Sequence, residues 1–430
     1  MATQLQPEFW PEAARASTAA RPRELPGNFA TPPHPLTGGT TPRIAVEPSA
    51  KRWRTNAIRR VIRSLVTNRL APTKACRECG WAVVYSALAV DIQRTKVEAS
   101  FSGLVQCRNR WLCPVCAARR AREEGDALRA MLGELRRKGG RAYLATLTVP
   151  HAIHQDIQDV RTTISSAWRP VANGNPWKRF LGEYHFSGAV RALEVTHGSN
   201  GWHPHLHVLL FARRPLSAGA LAEARKWLSD RWGRHVERRG WPQPDSDIGV
   251  TLKASSDDAY VTKMGLAAEL VGAQQKRGRV GGRTPWQIAL DIALARMEGS
   301  QDASLKRDTA IWKDYARGMR GAQQLTYTRG LRERYTRTPD AVQEELALDD
   351  ARGPDAETVL TVPLHIWNDH VRHDVRLQLD LLRGAERGMD GRDLRYLIDR
   401  EAAKVGDLLF WNVKLPPPRR KNLPLARYRP

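Results

Sequence analysis

The sequence has no long apolar run, few cysteines, and too few acidic residues to balance its basic ones. No stretch of about 18 apolar residues occurs, so we expect no transmembrane helix and no membrane contact. The first residues, MATQLQPEFWPEAARAST, lack the charged and then apolar pattern of a signal peptide. Five cysteines among 430 residues are too few for a disulfide scaffold. A cytoplasmic location is therefore the expectation.

The shortage of acidic residues leaves the chain strongly positive. There are 69 Lys and Arg residues against 45 Asp and Glu, which gives a net charge of +24 and a pI of about 10.4. Such an excess is typical of proteins that bind a polyanion, most often nucleic acid. An arginine-rich composition set by a GC-rich genome is the alternative that composition leaves open.

Changes in composition and periodicity divide the chain into six segments. Segments rich in Pro, Ala, Thr and Gly predict disorder, and regular apolar spacing predicts helices or strands. In chain order we predict a disordered tail (1–50), a basic helix (51–70), a cysteine module with its connecting helix (71–140), a segment of strands and helices (141–275), a helical continuation (276–336), and a C-terminal helical region with a basic tail (337–430).

The cysteines form two C-x2-C pairs. Cys76 and Cys79 make up the first pair, and Cys113 and Cys116 make up the second. Four thiolates in two such pairs suit tetrahedral Zn²⁺ and leave no coordination position open, so we predict a structural zinc site. Cys107 lies between the pairs and is an alternative to a member of either one. A redox C-x-x-C is disfavoured by the presence of two pairs in one short module.

Three histidines alternate in the stretch GWHPHLHVLLF, which predicts a strand that becomes buried at its end. His203, His205 and His207 would then lie on one face of that strand. Mixed nitrogen and oxygen ligands suit Mg²⁺ or Mn²⁺. With Glu194 or His203 as the third ligand, His205 and His207 predict an open, catalytic metal site. A structural zinc site is the alternative, but no fourth closing ligand is evident.

The segment before this strand, RALEVTHGSNG, predicts its hairpin partner. Asn200-Gly201 is a strong signal for a type I′ turn. With these residues at the centre of the turn, Glu194 faces His207, whereas a slip by two residues sets Glu194 opposite His205. In either register Glu194 shares a face with the histidines.

A tyrosine with a lysine one turn later follows the hairpin. In SSDDAYVTKMGLAAEL, Tyr260 and Lys263 fall on one face of a predicted helix. A tyrosine hydroxyl has an ordinary pKa of about 10, and a neighbouring cation makes it a better nucleophile at neutral pH.

The order of three motifs resembles the HUH endonucleases, most closely the replication initiators of rolling-circle plasmids that carry an upstream cysteine module. The motifs are TLTV at 146–149, HPHLH at 203–207 and YVTKMG at 260–265. The resemblance covers about 71–335. It implies an α+β fold with an antiparallel sheet flanked by helices, a small zinc module before it and a helical region after it.

The resemblance also implies an activity, in which 141–275 is a nickase domain that cuts one strand of origin DNA. His205 and His207 match the family's metal-binding histidines, Tyr260 its nucleophile, and Lys263 the lysine that follows. The implied products are a 5′-phosphotyrosine link and a free 3′-OH. The implied partners are origin DNA, single-stranded at the nick, and the host helicase and DNA polymerase.

One position departs from the family pattern. Some of these initiators place a glutamate four residues before the tyrosine, as the base for a terminating hydrolysis, and here that position is Ser256. Asp257, three residues before Tyr260, is the substitute that shares the tyrosine's face. Transposases and conjugative relaxases with the same motifs are alternatives. A non-catalytic, zinc-containing DNA-binding regulator is a further alternative, but it does not explain the histidine strand or Tyr260.

Two basic segments are predicted to bind DNA phosphates, with affinity that falls as salt rises. A solvated charged face is the alternative for each. The residues are Lys51, Arg52, Arg54, Arg59 and Arg60 in the first segment, and Lys276, Arg277 and Arg279 in the second.

Overall fold

A computed structural model of the chain describes residues 50–96, 98–255, 282–336, 356–407, 409 and 411. These residues belong to two compact units. No helix among them is long and apolar enough to cross a membrane. The described part of the first unit comprises 50–79, 106–255 and 282–336, and that of the second comprises 80–96, 98–105, 356–407, 409 and 411.

Helices and antiparallel strands alternate along the chain, which confirms the predicted α+β class. The strands are β1 (Ala89–Arg94), β2 (Ala99–Ser102), β3 (Arg141–Leu147), β4 (Phe186–Gly198), β5 (Gly201–Ala212), β6 (Val250–Ala254), β7 (Leu325–Tyr327) and β8 (Glu357–Pro363). The α-helices of at least five residues are α1 (Ala50–Ile62), α2 (Lys74–Glu78), α3 (Pro114–Arg137), α4 (Ile157–Val171), α5 (Gly174–Glu183), α6 (Ala218–Glu237), α7 (Pro285–Met297), α8 (Ala303–Gly318), α9 (Leu331–Tyr335), α10 (Val375–Glu386) and α11 (Gly391–Ala403).

A five-stranded sheet in the order β6-β3-β5-β4-β7 forms the centre of the first unit. β5 is the middle strand, and its residues 206–212 are buried. Leu209 and Phe211 pack against α3. A second helix, α4, also packs on β5. Because side chains alternate along a strand, His205 and His207 point to the same face as Leu209 and Phe211. The histidine row therefore continues the row of core residues that α3 covers.

The hairpin of β4 and β5 is confirmed, but the predicted turn is wrong. Gly198 pairs with Gly201, so Ser199 and Asn200 are the central residues. A type I′ turn needs a positive φ at both central residues, and neither has one. Gly201 has φ +80° instead, the conformation of a left-handed glycine after the turn. A Cβ on Gly201 would lie 3.2 Å from the carbonyl oxygen of Ile153, a tight contact with a backbone atom.

Other elements of the first unit fall within the segments predicted for them. α3 spans Pro114–Arg137, inside the predicted 71–140, and α6 and β6 lie inside the predicted 141–275. α6 begins where the Ser217 side chain accepts a hydrogen bond from the Ala220 N–H, an ordinary N-cap.

The second unit contains a three-stranded antiparallel sheet in the order β2-β1-β8, with α10 and α11 packed on it. Trp367 is fully buried in this unit and donates a hydrogen bond from Nε1 to the Trp81 carbonyl at 2.9 Å. Two features differ from the sequence prediction. Residues 80–105 leave the cysteine module to join this unit, and β8 interrupts a region predicted as helical. The alternation in ETVLTVP is the strand signal that the helical prediction overlooked.

A partly buried ion pair stabilises the edge of β4 in the first unit. β7 pairs with β4 only over Val190–Ala192, and farther along His197 and Arg283 exchange backbone hydrogen bonds of 2.8 and 2.7 Å. The Arg283 guanidinium makes two hydrogen bonds of 2.7 Å to the Asp308 carboxylate, which is only 5% exposed. Such a bidentate pair fixes geometry as well as charge.

We predict that Asp308→Ala lowers the free energy of unfolding of the first unit by about 3 kcal/mol, because it leaves the Arg283 guanidinium without its main partner. Asp314→Ala is the matched control on the same helix. Asp314 pairs with Arg317 at 3.1 Å but is 54% exposed, so its loss should cost less than about 0.5 kcal/mol. Urea denaturation measures both, and equal effects would contradict the prediction.

Candidate functional site

Glu194, His205 and His207 come together on two neighbouring strands. The Glu194 Oε2 lies 3.4 Å from His205 Nε2 and 3.2 Å from His207 Nε2. One ligand atom from each residue lies within 4.8 Å of the other two, so the three could share a metal ion. The His207 side chain is buried. The side chains of His205 and Glu194 are 13% and 21% exposed, so solvent can reach the group.

The strand register sets this arrangement. Glu194 of β4 lies directly opposite His205 of β5, and His207 is its diagonal neighbour. This is the second of the two registers that the sequence left open. His207 also pairs across the sheet with Thr146 of β3, in the TLTV motif.

Hydrogen bonds to the far ring nitrogens orient both imidazoles. His207 Nδ1 is 3.0 Å from the Thr146 hydroxyl, and His205 Nδ1 is 3.3 Å from the His203 carbonyl. The carbonyl only accepts, so His205 donates from Nδ1. The Thr146 oxygen can accept from His207 Nδ1 in the same way. Both Nε2 atoms then point at Glu194 Oε2, where each can donate a proton to the carboxylate or, once deprotonated, a lone pair to a cation.

The carboxylate of Glu194 is charged and incompletely satisfied. Burial works to raise its pKa, but the contacts with His205 and His207 outweigh burial and lower the pKa from 4.5 to about 2. Its Oε1 is buried and has no hydrogen-bond partner among the described residues. A buried carboxylate oxygen without a partner is costly, and a divalent cation between it and two neutral imidazoles would satisfy it. The donor set therefore fits a metal ion.

His203 lies beside this group but is not part of it. Its ring stacks on His205 at 5.3 Å and on His151 at 4.9 Å between ring centroids. Burial and the neighbouring His205 and His151 lower the pKa of His203 to about 4, so the ring is neutral at pH 7. His151 was missed by the sequence reasoning. The only signal was its position, two residues after the TLTV motif.

Four cysteines of the first unit form a second candidate metal site. They are Cys79, Cys107, Cys113 and Cys116, so Cys107 takes the place predicted for Cys76. The Sγ of Cys79 is 3.7 Å from those of Cys113 and Cys116, and Cys107 Sγ is 3.8 Å from Cys116 Sγ. A tetrahedron of sulfurs about 2.3 Å from a central ion has edges of about 3.8 Å, so these separations fit four-coordinate binding.

Polar side chains of the chain after α1 hold the cysteine loops. Asn68 Nδ2 donates to the carbonyls of Cys76 and Cys79, at 2.8 and 3.1 Å. Thr67 donates to the Leu112 carbonyl at 2.6 Å, just before Cys113. Cys76 is buried at the start of this loop, and its thiol pKa falls to about 7, chiefly through contact with Cys107.

The remaining predicted site residues divide into two groups. In α1, Arg52 and Arg54 are exposed and Arg60 is partly buried, whereas Arg59 is only 6% exposed and bonds Asn56 at 3.1 Å. The prediction that Arg59 contacts DNA phosphates is therefore corrected, because its side chain packs inside the protein. For Lys51 the structure gives the backbone alone. Outside the described residues lie Tyr260, Lys263, Asp257, Lys276, Arg277 and Arg279.

The charge is distributed unevenly between the two units. In the described part of the first unit, Lys and Arg outnumber Asp and Glu by more than two to one. In that of the second, acidic residues slightly outnumber basic ones. Among the described residues, the positive charge that attracts a polyanion is therefore concentrated in the unit that contains Glu194, His205 and His207.

Comparison with known proteins relates the chain to replication proteins. Residues 100–233, which include Glu194, His205 and His207, match a family described as Replication protein. A Protein rep of Streptomyces lividans is 28% identical over 356 residues, which cover 68% of this chain and 77% of that protein. A Protein rep of Staphylococcus aureus is 28% identical over 107 residues, 24% of this chain and 44% of that protein.

A third relative carries another name. The Neomycin resistance protein of Streptomyces cyanogenus is 28% identical over 221 residues, 41% of this chain and 50% of that protein. No solved structure matches the chain significantly. The matches to replication proteins confirm the resemblance to rolling-circle plasmid initiators that the motifs indicate.

The sulfur positions include Cys107 in the candidate metal group and leave Cys76 out of it. We expect Cys107→Ser to lose bound metal and to lower the melting temperature, because one of four ligands is removed. Cys76→Ser should retain its metal, and Cys113→Ser serves as the positive control. Elemental analysis of the purified variants measures this. Metal loss in Cys76→Ser as large as in Cys107→Ser would show that the predicted pair holds the ion.

The Thr146 hydroxyl gives a test of the histidine site. Thr146→Val keeps the shape of the side chain but removes the partner of His207 Nδ1, so Mn²⁺ affinity should fall by about 10- to 100-fold. Thr148→Val is the control, since Thr148 Oγ1 lies near a backbone carbonyl, that of Gly249, at 3.4 Å. Calorimetric titration with Mn²⁺ measures both, and unchanged affinity in Thr146→Val would refute the role given to this hydroxyl.

Proposed function

We propose that this protein is a replication initiator that nicks one strand of origin DNA and so starts rolling-circle replication. The observation that carries the proposal is the group of Glu194, His205 and His207 on adjacent strands. It lies in a strongly basic unit that is similar to replication proteins. Three protein ligands leave positions for a substrate oxygen, as a phosphoryl-transfer site needs.

Each residue of the site has a defined task in the proposed reaction. Glu194, His205 and His207 would hold Mg²⁺ or Mn²⁺, which when bound neutralises charge on the scissile phosphate. The hydroxyl oxygen of Tyr260 forms a bond to phosphorus as the bond from phosphorus to the 3′ oxygen breaks. The tyrosine proton is lost, and the 3′ oxygen gains a proton. The products are a 5′-phosphotyrosine link and a free 3′-OH.

Chain length allows Tyr260 to reach this site. Ser255, the last described residue before it, donates a backbone hydrogen bond to the Ala142 carbonyl. Thr146, opposite His207, is four residues farther along β3, or about 14 Å, and β5 lies about 10 Å across the sheet from β6, so the separation is about 17 Å. Five residues of chain span up to about 17 Å and the tyrosine side chain extends beyond them, so the site is within reach.

Lys263 and Asp257 have supporting tasks. An ammonium group at Lys263 would favour the tyrosinate that attacks, because an opposite charge lowers the pKa of a phenol. Asp257 would take the proton of a water molecule when the phosphotyrosine link is hydrolysed at the end of a round, the task of the glutamate that Ser256 replaces.

The cysteine group is proposed to hold Zn²⁺ as a structural ion. Four thiolates with edges near 3.8 Å suit Zn²⁺ and leave no open position, so the ion would contribute to folding and not to the reaction. Exposed arginines of α1, Arg52 and Arg54, would hold DNA phosphates. The proposed partners are single-stranded origin DNA, and a host helicase and DNA polymerase that extend the 3′-OH in the cytoplasm.

The test is covalent capture of DNA. Single-stranded oligonucleotides that tile the DNA flanking the gene are incubated with the protein and Mn²⁺, then resolved in a denaturing gel. We expect one oligonucleotide to form a protein adduct, and peptide mapping to place the DNA on Tyr260. Tyr260→Phe should lose adduct and cleavage together while binding DNA normally, because only one hydroxyl is removed.

His207→Ala and EDTA are the companion measurements. Both should abolish cleavage and leave binding largely intact, because phosphate contacts by Lys and Arg dominate affinity. Cleavage at the wild-type rate in EDTA, or an adduct on another tyrosine, would overturn the assignment. DNA binding with no cleavage under any condition would favour a zinc-containing regulator.

A further inference from the structure

The histidine row on β5 contains one imidazole more than the candidate metal group uses. His203, His205 and His207 lie on one face of the strand, but the group that meets Glu194 contains His205 and His207 alone. His203 is two residues from a candidate ligand, and imidazole is the commonest side-chain ligand for metals. Its place outside the group therefore needs a physical cause.

The orientation of the His203 ring supplies this cause. It stacks on His205, with ring centroids 5.3 Å apart and planes at 26°, and on His151, with centroids 4.9 Å apart and planes at 28°. The nitrogen lone pairs of imidazole lie in the plane of the ring, so rings stacked nearly parallel do not direct them at a shared point. His205 and His207 are instead perpendicular, at 90°, and both Nε2 atoms approach Glu194 Oε2.

His151 belongs to a different segment, the turn that follows β3, and it is fixed there. Its Nδ1 donates to the Val149 carbonyl at 3.2 Å, because a carbonyl only accepts. The next residue, Ala152, donates from its N–H to Gln155 Oε1 at 2.7 Å, and its carbonyl accepts from the Gln155 N–H at 3.0 Å. The ring that stacks on His203 is therefore held independently of β5.

The second nitrogen of His151 does not explain where the ring lies. His151 Nε2 is buried and has no hydrogen-bond partner among the described residues, and a buried nitrogen without a partner is unfavourable. The contact that the ring does make is the stack on His203, and stacked aromatic rings stabilise one another. Another flat ring at position 151 could make the same stack.

The number of imidazoles at a site affects which ion it prefers. Two imidazoles and one carboxylate leave coordination positions for a substrate oxygen, and they suit Mn²⁺. A third imidazole would take one of those positions. It would also favour Zn²⁺ over Mn²⁺, because the affinity of Zn²⁺ for nitrogen ligands is higher.

We propose that His151 determines the metal specificity of the histidine group. By stacking on His203, it keeps the third imidazole of the row turned away from the ion. The inference rests on the proposed function, since it takes Glu194, His205 and His207 as the metal ligands. It adds a residue that does not touch the ion but selects it.

Metal titration without DNA tests this inference. The affinities for Mn²⁺ and Zn²⁺ are measured by calorimetry on protein whose cysteine group is already loaded with Zn²⁺. We expect His151→Ala to raise the ratio of Zn²⁺ to Mn²⁺ affinity about 10-fold, because the freed His203 becomes a ligand. His151→Phe should keep the wild-type ratio, because a phenyl ring also stacks on His203.

Three further variants complete the design. The double variant His151→Ala/His203→Ala should return to the wild-type ratio, because the third imidazole is gone. His203→Ala alone should leave the ratio unchanged, since the stacked ring is not a ligand. His154→Ala removes an exposed histidine from the same turn and should have no effect.

Three results would overturn the inference. The first is an unchanged ratio in folded His151→Ala, and the second is the same rise in the double variant, which would not involve His203. The third is an altered ratio in His203→Ala, which would make His203 a ligand of the wild type. This last variant decides the question even if His151→Ala does not fold.

The outcomes also separate this inference from the proposed function. If the wild type binds neither ion at the histidine group, both proposals are refuted. If the wild type forms the DNA adduct with Mn²⁺ but His151→Ala keeps its metal preference, the role of His151 alone is refuted. If the preference shifts as expected but DNA is never cleaved, the role of His151 stands and the nickase function does not.

Discussion

The pairing of β4 with β5 is the interaction on which the candidate site depends. Glu194 and the two histidines approach one another because Gly198 pairs with Gly201, and the same register continues as far as the pair of Ala189 with Leu210. A slip by one residue would turn Glu194 to the opposite face of the sheet and leave a carboxylate against apolar neighbours. Three features help to hold this register. They are the left-handed conformation of Gly201, the contact of Gly201 with the Ile153 backbone, and the Arg283–Asp308 pair at the edge of β4.

The two candidate metal sites place opposite demands on the chain. The cysteine group offers four sulfurs, three pairs of which lie 3.7 to 3.8 Å apart, and its loops are held by Asn68 and Thr67. The histidine group offers three side chains, and a metal ion held by three protein ligands would keep positions free. A closed site contributes stability, and an open one keeps a position for chemistry.

Local patterns in the sequence predict the hairpin, α3 and the shared face of Glu194 with the histidines, because period and turn residues act over a few positions. Local sequence leaves the register open between two choices, because Asn-Gly favours a type I′ turn, whereas the structure places Gly201 after the turn with a positive φ and against the Ile153 backbone. Spacing alone does not say which thiol closes a quartet, so Cys107 was not distinguished from Cys76. β8 pairs with a strand more than 260 residues earlier, and no local signal carries that partner.

The candidate ligands His205 and His207 stand on the same strand row as Leu209 and Phe211, core residues that α3 covers. Core packing and the proposed chemistry therefore depend on one strand. A substitution that shifts β5 to repack Leu209 or Phe211 would also move the two imidazoles. Evolution of this protein is therefore more constrained along this row than at positions on the surface.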